Sequence, residues 1–286
     1  GVSHDLAKWR AANYSDVRYK LNLTLEKMSP VLKGTMEIRL QHSVLDCQEC
    51  PPISIILDWR KIKGSESLST ISNVTINAQP ANLLRPGEIS KGSGAFRAVD
   101  DKGKVIPDKT PVRYEERDEH LIFREGVEMG ENVIKLDFTS PILTSGSAIT
   151  RYVDKEDGAE YIYSLFVPSD ASTAFPVFDQ PDLKARFTLS FRAPDEKWKV
   201  ISNTEIFRKS YETDHLFNIT KGTEYELDYH VYEFAETKPI STYVFAFAAG
   251  PFERVSEPPA SAGGTNAIAK STSGPTVQRP GNATST

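Results

Sequence analysis

The side chains that could act in acid–base or metal chemistry are scattered along this 286-residue sequence rather than grouped. Its five histidines are His4, His42, His120, His215 and His230. No two of them have the spacing of a zinc-binding helix such as H-E-x-x-H. Three of the five fall in predicted strands or at strand ends. We therefore expect surface or structural histidines rather than metal ligands.

The two cysteines form a C-Q-E-C motif at Cys47 and Cys50, directly before two prolines. A structural zinc site needs four Cys or His ligands, and the sequence has no second pair. A redox C-x-x-C motif belongs at the start of a helix, whereas this one lies in a proline-bounded loop. Three interpretations stay open: an inert pair or local disulfide, a disulfide that stabilises the loop, or reactive thiols.

No nucleophile elbow of the G-x-S-x-G type and no phosphate-binding glycine loop is present in the sequence. The acidic pairs at 115–116 and 118–119 flank a predicted strand in a charged run, which favours a solvated surface over general acid–base catalysis. The densest mixture of residue types lies between Ser164 and Lys184, with three prolines and three aspartates. This stretch is a candidate active site, docking surface or structural corner.

The overall charge excludes some classes of function. Lys and Arg total 34 against 39 Asp and Glu, and the net charge is −5. Nucleic-acid binding requires a clustered basic surface, which this mixed pattern lacks. No run approaches the ~20 apolar residues that span a bilayer. The chain begins with Gly rather than Met, which suggests a processed or cloned piece. Together with the cysteine pair, this gives a slight preference for an extracytoplasmic or periplasmic parent.

Period-two alternation of apolar and polar residues is the main structural signal. It runs through 17–25, 36–40, 133–138 and 187–191. One buried and one solvated face per strand is typical of antiparallel sheets. Short apolar runs at 53–57 and 243–249 predict more deeply buried strands, and 3–13 is the best candidate for a short helix. The sequence therefore predicts an all-β chain of about a dozen strands in packed, mostly antiparallel sheets.

Several segments resemble one peptidase family in chain order. The segment FPVFDQP (175–181), followed by KARF (184–187), resembles the F-P-C-F-D-E-P-x-x-K-A-x-F motif of the aminopeptidase N-type zinc metallopeptidases, the group that includes leukotriene A4 hydrolase. The segment PISTYVFAF (239–247) resembles P-M-S-T-Y-L-x-A-F, which closes the N-terminal domain of that family. The resemblance covers about 17–255.

The resemblance implies a saddle-like β-sandwich that covers a thermolysin-like catalytic domain of the same polypeptide. It also implies a domain organisation with a lead-in at 1–16, the β-domain at 17–255 and a Gly/Pro/Ser/Thr-rich linker or tail at 256–286. The family's G-A-M-E-N strand and H-E-x-x-H zinc helix do not occur in this sequence. We therefore expect no catalytic residue, metal ligand or cofactor in the chain, with zinc and peptide hydrolysis assigned to the parent enzyme.

The resemblance also indicates a tentative substrate pocket wall. Many family members carry T-Q-x-E just before the F-P-C-F-D-E-P motif, and the glutamine lines the first specificity pocket near the free amine of the substrate. Aligned without gaps, those positions are Ser164, Leu165, Phe166 and Val167 here. Leucine cannot accept a hydrogen bond from an ammonium group. Leu165, with Ser164 and Val167, is either a wall of an unusually apolar pocket or part of an ordinary buried strand.

The 175–182 segment itself has a structural interpretation. Asp179 is placed to accept hydrogen bonds from backbone N–H groups two or three residues further on, and Pro181 suits a first helical turn. Phe175 and Phe178 are expected to anchor this capped corner in the core. The leading hypothesis is thus the non-catalytic N-terminal domain of a zinc aminopeptidase, which walls the substrate cavity and supports the catalytic domain. The alternative is a free-standing β-sandwich that binds a partner.

Overall fold

Strands dominate the computed structural model, which describes residues 2–43, 53–85, 111–218 and 223–253. The predictions for Cys47 and Cys50, for nearly all of the 86–112 loop and for the 256–286 tail lie outside the described residues. Gly1–Phe252 forms one compact unit, and Glu253–Thr286 is divided from it as a second.

One α-helix and fifteen strands make up the described part of the chain. The helix is α1 (His4–Asn13), and short 3-10 helices lie at Glu66–Leu68, Ala171–Thr173 and Thr242–Val244. The strands are β1 (Tyr14–Thr24), β2 (Val31–His42), β3 (Ile55–Asp58), β4 (Thr70–Ile76), β5 (Gln79–Leu83), β6 (Val112–Arg117), β7 (His120–Phe123), β8 (Gly130–Pro141), β9 (Ile149–Val153), β10 (Glu160–Ser164), β11 (Ala185–Ala193), β12 (Lys199–Ser202), β13 (Ile206–Asn218), β14 (Thr223–Phe234) and β15 (Phe247–Gly250).

The strands form two sheets. The large sheet has eleven strands in the order β13-β14-β11-β1-β2-β8-β4-β5-β6-β7-β3, and the small sheet has the order β12-β15-β10-β9. The pairs β1–β11 and β5–β6 are parallel, and the other described strand pairs are antiparallel. The prediction of an all-β chain with packed, mostly antiparallel sheets is confirmed.

The centre of the large sheet follows directly from the alternation in the sequence. Leu21 and Leu23 of β1 are fully buried, while Asn22 between them is half-buried and points to the other side. Tyr19 stacks on Phe187 of the neighbouring β11, with ring centroids 4.9 Å apart. On β2, Gly34 leaves room for a phenylalanine ring of β8 that a Cβ would overlap. Side chains of alternating size therefore interlock on the buried face.

Aromatic rings fill the space between the two sheets. Phe187 of β11 lies parallel to Phe245, which precedes β15, with centroids 4.4 Å apart. Phe166, which follows β10, stacks on Phe245 and meets Phe175 edge-on. Because the rings belong to segments that enter and leave the small sheet, this cluster holds that sheet against the large one.

Of two elements near the ends of the described chain, one was predicted correctly from the local sequence pattern and the other was not. The predicted helix forms as α1, and the Oγ of Ser3 accepts a capping hydrogen bond from the N–H of Leu6. The apolar run at 243–249 was predicted as one strand, but it begins as a 3-10 helix and becomes a strand only at Phe247. Tyr243 and Val244 are exposed in that turn. None of the helices in the described ranges is long and apolar enough to span a membrane.

Candidate functional site

The predicted pocket residues lie at the end of β10, between β9 and β15 in the small sheet. Ser164 is buried, and its hydroxyl donates to the carbonyl of Phe247 at 3.2 Å and accepts from the N–H of Phe247 at 2.8 Å. These two hydrogen bonds fasten the end of β10 to the start of β15. The side chain of Ser164 therefore points into the fold, where it supports the exposed residues that follow.

Leu165 and Val167 are exposed, in contrast to their neighbour Phe166. Their side chains are 57% and 51% exposed, whereas Phe166 is 1% exposed. The N–H of Leu165 donates to the carbonyl of Ala148 at 2.8 Å, so the extended backbone continues past the last residue of β10. The strand alternation continues with it, and large apolar side chains occupy the outward positions.

These two residues extend a larger apolar surface on the outward side of the small sheet. Tyr163 and Ile201 both pair with Ala248, so the three side chains form a row across β10, β15 and β12. Tyr163 is 41% exposed and Ile201 57%. We call this surface the outer face, and it consists of Tyr152, Tyr161, Tyr163, Leu165, Val167, Ile201 and Ala248.

The aromatic part of the outer face is packed against the sheet backbone. The ring of Tyr161 lies directly over Gly250 of β15, since a Cβ there would approach the ring to 2.7 Å. Its centroid is 6.2 Å from the ring of Tyr152 on β9 and 5.2 Å from that of Phe252. A contiguous, exposed apolar surface of this kind is characteristic of a contact or ligand-binding site rather than of an ordinary solvated sheet.

A second candidate is a buried polar cluster at the end of β3. Arg10 of α1 binds Asp58 with two hydrogen bonds, Nη1 to Oδ2 at 2.9 Å and Nη2 to Oδ1 at 2.7 Å. The N–H of Asp179 donates to Oδ2 of Asp58 at 2.8 Å. Nδ1 of His120 on β7 lies 2.9 Å from Oδ1 of Asp58, a close polar contact. One carboxylate thus links three separate segments.

The two carboxylates of this cluster respond oppositely to their surroundings. Burial would raise the pKa of Asp58, but the contacts from His120 and Arg10 outweigh it and hold the pKa below its usual value. Burial raises the pKa of Asp179 to about 6, and the negative charge of Asp58 adds to the increase. Both residues line a cavity of about 100 Å³ together with Val2, Arg60, Glu119, His120, Ser169 and Ser172. A cavity of that size and polarity suits ordered water.

The corner at 175–182 differs from its predicted geometry. Oδ2 of Asp179 accepts from the N–H of Ser172 at 3.1 Å, seven residues back, and not from residues ahead of it. No helix starts at Pro181. The prediction of a forward-capped turn is therefore wrong, because the Ala171–Thr173 3-10 helix supplies the nearer free N–H group. Phe175 and Phe178 are fully buried, as expected for anchors.

Sequence reasoning did not single out Asp58, Arg10 or His120. They are separated from one another by 48 residues or more along the chain. The one feature that they share is a position near the end of a helix or strand. One signal was available: Asp58 is the acidic residue that ends an apolar strand. Within the described ranges, no group of three or more His, Cys, Asp or Glu side chains could hold a metal ion, so these residues do not fit a zinc site.

Comparisons with known proteins relate parts of the chain to aminopeptidases. The sequence is 34% identical over 130 residues to aminopeptidase N of Streptomyces lividans, which covers 46% of this chain and 13% of that protein. It is 32% identical over 154 residues to a probable aminopeptidase 1 of Sulfurisphaera tokodaii, which covers 54% of this chain and 17% of that protein. The chain thus spans less than a fifth of the length of these relatives.

The fold has a counterpart among solved structures. Native leukotriene A4 hydrolase from Saccharomyces cerevisiae matches 84% of this chain and 29% of its own, with a TM-score of 0.53 and 15% identity. At that identity the likeness concerns the fold. The profile of the Peptidase M1 N-terminal domain family matches residues 15–244, most of the chain. The chain therefore belongs to the Peptidase M1 N-terminal domain family.

Proposed function

We propose that the chain is the non-catalytic N-terminal domain of a zinc aminopeptidase, and that its outer face packs against the catalytic domain and walls part of the substrate cavity. The single observation that carries this proposal is the exposure of large apolar side chains on one side of the small sheet. The alternative, a free-standing module, would use the same face to bind a separate partner.

The composition of the outer face supports a covered surface. Leu165, Val167 and Ile201 are each more than half exposed. Burying an aliphatic side chain of this size is favourable by about 1.5–3 kcal/mol. A surface that gains this much from a partner, and that has no charged residue in its central row, resembles the core of an interface more than its rim.

We assign different roles to this chain and to the remainder of the polypeptide. Because the described residues do not fit a zinc site, zinc and the hydrolysis of N-terminal residues from peptides belong in this proposal to the catalytic domain. The β-domain at 17–255 supplies the wall, 256–286 serves as a linker or tail, and the 1–16 lead-in adds α1. Arg10 of α1 ties the lead-in to β3 through its two hydrogen bonds to Asp58.

The proposed pocket wall has a defined chemistry. Leu165 and Val167 present methyl groups to solvent, while Ser164 is committed to the backbone of β15. A leucine at position 165 cannot bind a substrate ammonium, so the parent enzyme must hold the amine with another group. An apolar wall favours apolar or aromatic N-terminal residues, with a discrimination of about 10–200-fold per methylene-sized difference at most.

The test compares Leu165→Gln with Leu83→Gln in the full-length polypeptide. Leu83 on β5 is also exposed and apolar but lies in the large sheet. We expect Leu165→Gln to change the ratio of kcat/KM between leucyl and alanyl substrates, and Leu83→Gln to leave it unchanged. Equal behaviour of the two variants, or a natural stop of the reading frame after residue 286, would refute the proposal and favour the free-standing module.

A further inference from the structure

The strand β13 ends the large sheet on one side, and its outer edge is unpaired within the described part of the chain. At thirteen residues it is long for an edge strand. Its N–H and C=O groups on that edge form a template for another strand. Proteins usually protect such an edge with charged side chains, and β13 carries both signs of charge.

The geometry limits how a second copy could pair with this edge. A bulge lies at Phe207, and pairing with β14 is regular from Arg208 to Asn218. If a two-fold axis normal to the sheet relates two copies, their β13 strands run antiparallel. The residue on the axis then lies opposite the same residue of the other copy. Opposed side chains then point to the same side, so the central residue defines the whole register.

Charge separates the possible registers. A register centred on residue 212 places Glu212 opposite Glu212, and one centred on 214 places Asp214 opposite Asp214. A register centred on 213 places Glu212 opposite Asp214. A register centred on Tyr211 places Arg208 opposite Asp214 twice, and no like charges face each other directly. A register centred on Ser210 also avoids like charges, but the bulge at Phe207 limits its paired segment to the five residues 208–212. Like charges directly opposite destabilise a strand pair, whereas unlike charges stabilise it.

We propose that β13 is a self-association edge: two copies of the chain pair their β13 strands antiparallel about Tyr211, so that the two large sheets become one continuous sheet. The seven residues from 208 to 214 would form the paired segment. This surface is separate from the outer face, because β13 belongs to the large sheet and not to the small one. The inference therefore stands independently of the proposed function.

The groups around Asp214 are suited to receive a second guanidinium. Arg192 of β11 binds Oδ1 of Asp214 at 2.6 Å and approaches Glu212 at 3.1 Å. One arginine thus faces two carboxylates, which leaves a negative excess on this side of the hairpin. Arg208 is exposed and makes only a 3.7 Å contact with Glu233. In the dimer, Arg208 of the second copy would supply the second positive charge for the Glu212 and Asp214 carboxylates.

Sedimentation velocity on the 286-residue chain tests this pairing. We expect a reversible monomer–dimer equilibrium. Arg208→Asp alone, or Asp214→Arg alone, creates two like-charge contacts in the dimer and should weaken it at least ~10-fold. An equimolar mixture of the two variants restores both attractive contacts, so the heterodimer should form within about threefold of the original affinity. Recovery on mixing requires contact between two chains in this register.

A second measurement covers the case in which Asp214→Arg does not fold. With Cys47 and Cys50 replaced by Ser, Tyr211→Cys should form an intermolecular disulfide, since residue 211 lies on the two-fold axis. Tyr225→Cys, which replaces another exposed tyrosine but on β14, should not. A chain that stays monomeric would overturn the proposal, as would a dimer that is insensitive to Arg208→Asp but is lost on Leu165→Ser. Equal disulfide formation by Tyr211→Cys and Tyr225→Cys would also overturn the proposal.

Discussion

The carboxylate of Asp179 should make the stability of this domain rise as the pH falls from 7.5 to 5. The group is buried next to Asp58, and its pKa is raised from 3.8 to about 6. A raised carboxyl pKa means that the folded state favours the protonated form. The ionised carboxylate therefore destabilises the fold, and the full cost applies above the folded-state pKa of about 6. The cost decreases as the pH falls from that value towards the unfolded-state pKa of 3.8.

The size of the effect follows from the two pKa values. A difference of about two pKa units corresponds to about 3 kcal/mol at pH 7.5. At pH 5 the folded-state carboxyl is mostly protonated, and the remaining cost is about 1.6 kcal/mol. The Asp179→Asn substitution removes this titration. The variant should therefore be more stable than the natural chain at both pH values. Its advantage in the free energy of unfolding should be about 1.4 kcal/mol larger at pH 7.5 than at pH 5.

Urea unfolding followed by tryptophan fluorescence measures this difference, because Trp59 is buried in the same region. Asp182→Asn serves as the control, since Asp182 is exposed, and its unfolding free energy should differ from that of the natural chain by the same amount at both pH values. If Asp179→Asn shows no pH-dependent difference, or if its relative stability is higher at pH 5 than at pH 7.5, the assignment of Asp179 as a strained buried charge is refuted.

Three further substitutions test the packing of the fold by urea unfolding. Arg10→Met removes the arginine partner of the buried Asp58 carboxylate and should cost about 3–5 kcal/mol, while Arg10→Met combined with Asp58→Leu should recover much of that loss. Gly34→Ala forces a Cβ into the ring of Phe138 and should cost about 1–3 kcal/mol, so an unchanged midpoint would contradict the interlocked packing. Ser164→Ala removes both hydrogen bonds to the start of β15 and should cost about 1–2 kcal/mol, whereas a neutral result would show that the end of β10 is held by other contacts.

The strands that could be predicted from the sequence are those with one buried and one solvated face. In the centre of the large sheet, β2 and β11 alternate strictly and β1 does so from Val17 onward, because each packs one face on the aromatic core. For the hairpin of β13 and β14, the sequence predicted strands at or near His215 and His230 but not their bounds. Much of the hairpin extends beyond its neighbour β11, with which β14 pairs over only four residues. Charged side chains on both faces then remove the apolar signal.

The candidate site was predicted in part. The alternation Tyr161, Tyr163, Leu165 and Val167 could be read along the chain, but their common exposure depends on the partners of β10 in the small sheet. The cluster around Asp58 could not be predicted, because its contacts join residues from α1, β3, β7 and the 171–179 corner. Such long-range polar contacts leave no periodic trace in a single sequence.

The central claim, that the outer face is covered by the rest of a longer polypeptide, can be tested by thiol labelling of Leu165→Cys with Cys47 and Cys50 replaced by Ser. We expect rapid labelling in the 286-residue chain and at least ~10-fold slower labelling in the full-length polypeptide, because burial limits reagent access. Leu83→Cys should react at the same rate in both. Equal labelling rates of Leu165→Cys in the two proteins would show that the outer face stays uncovered in the full-length polypeptide.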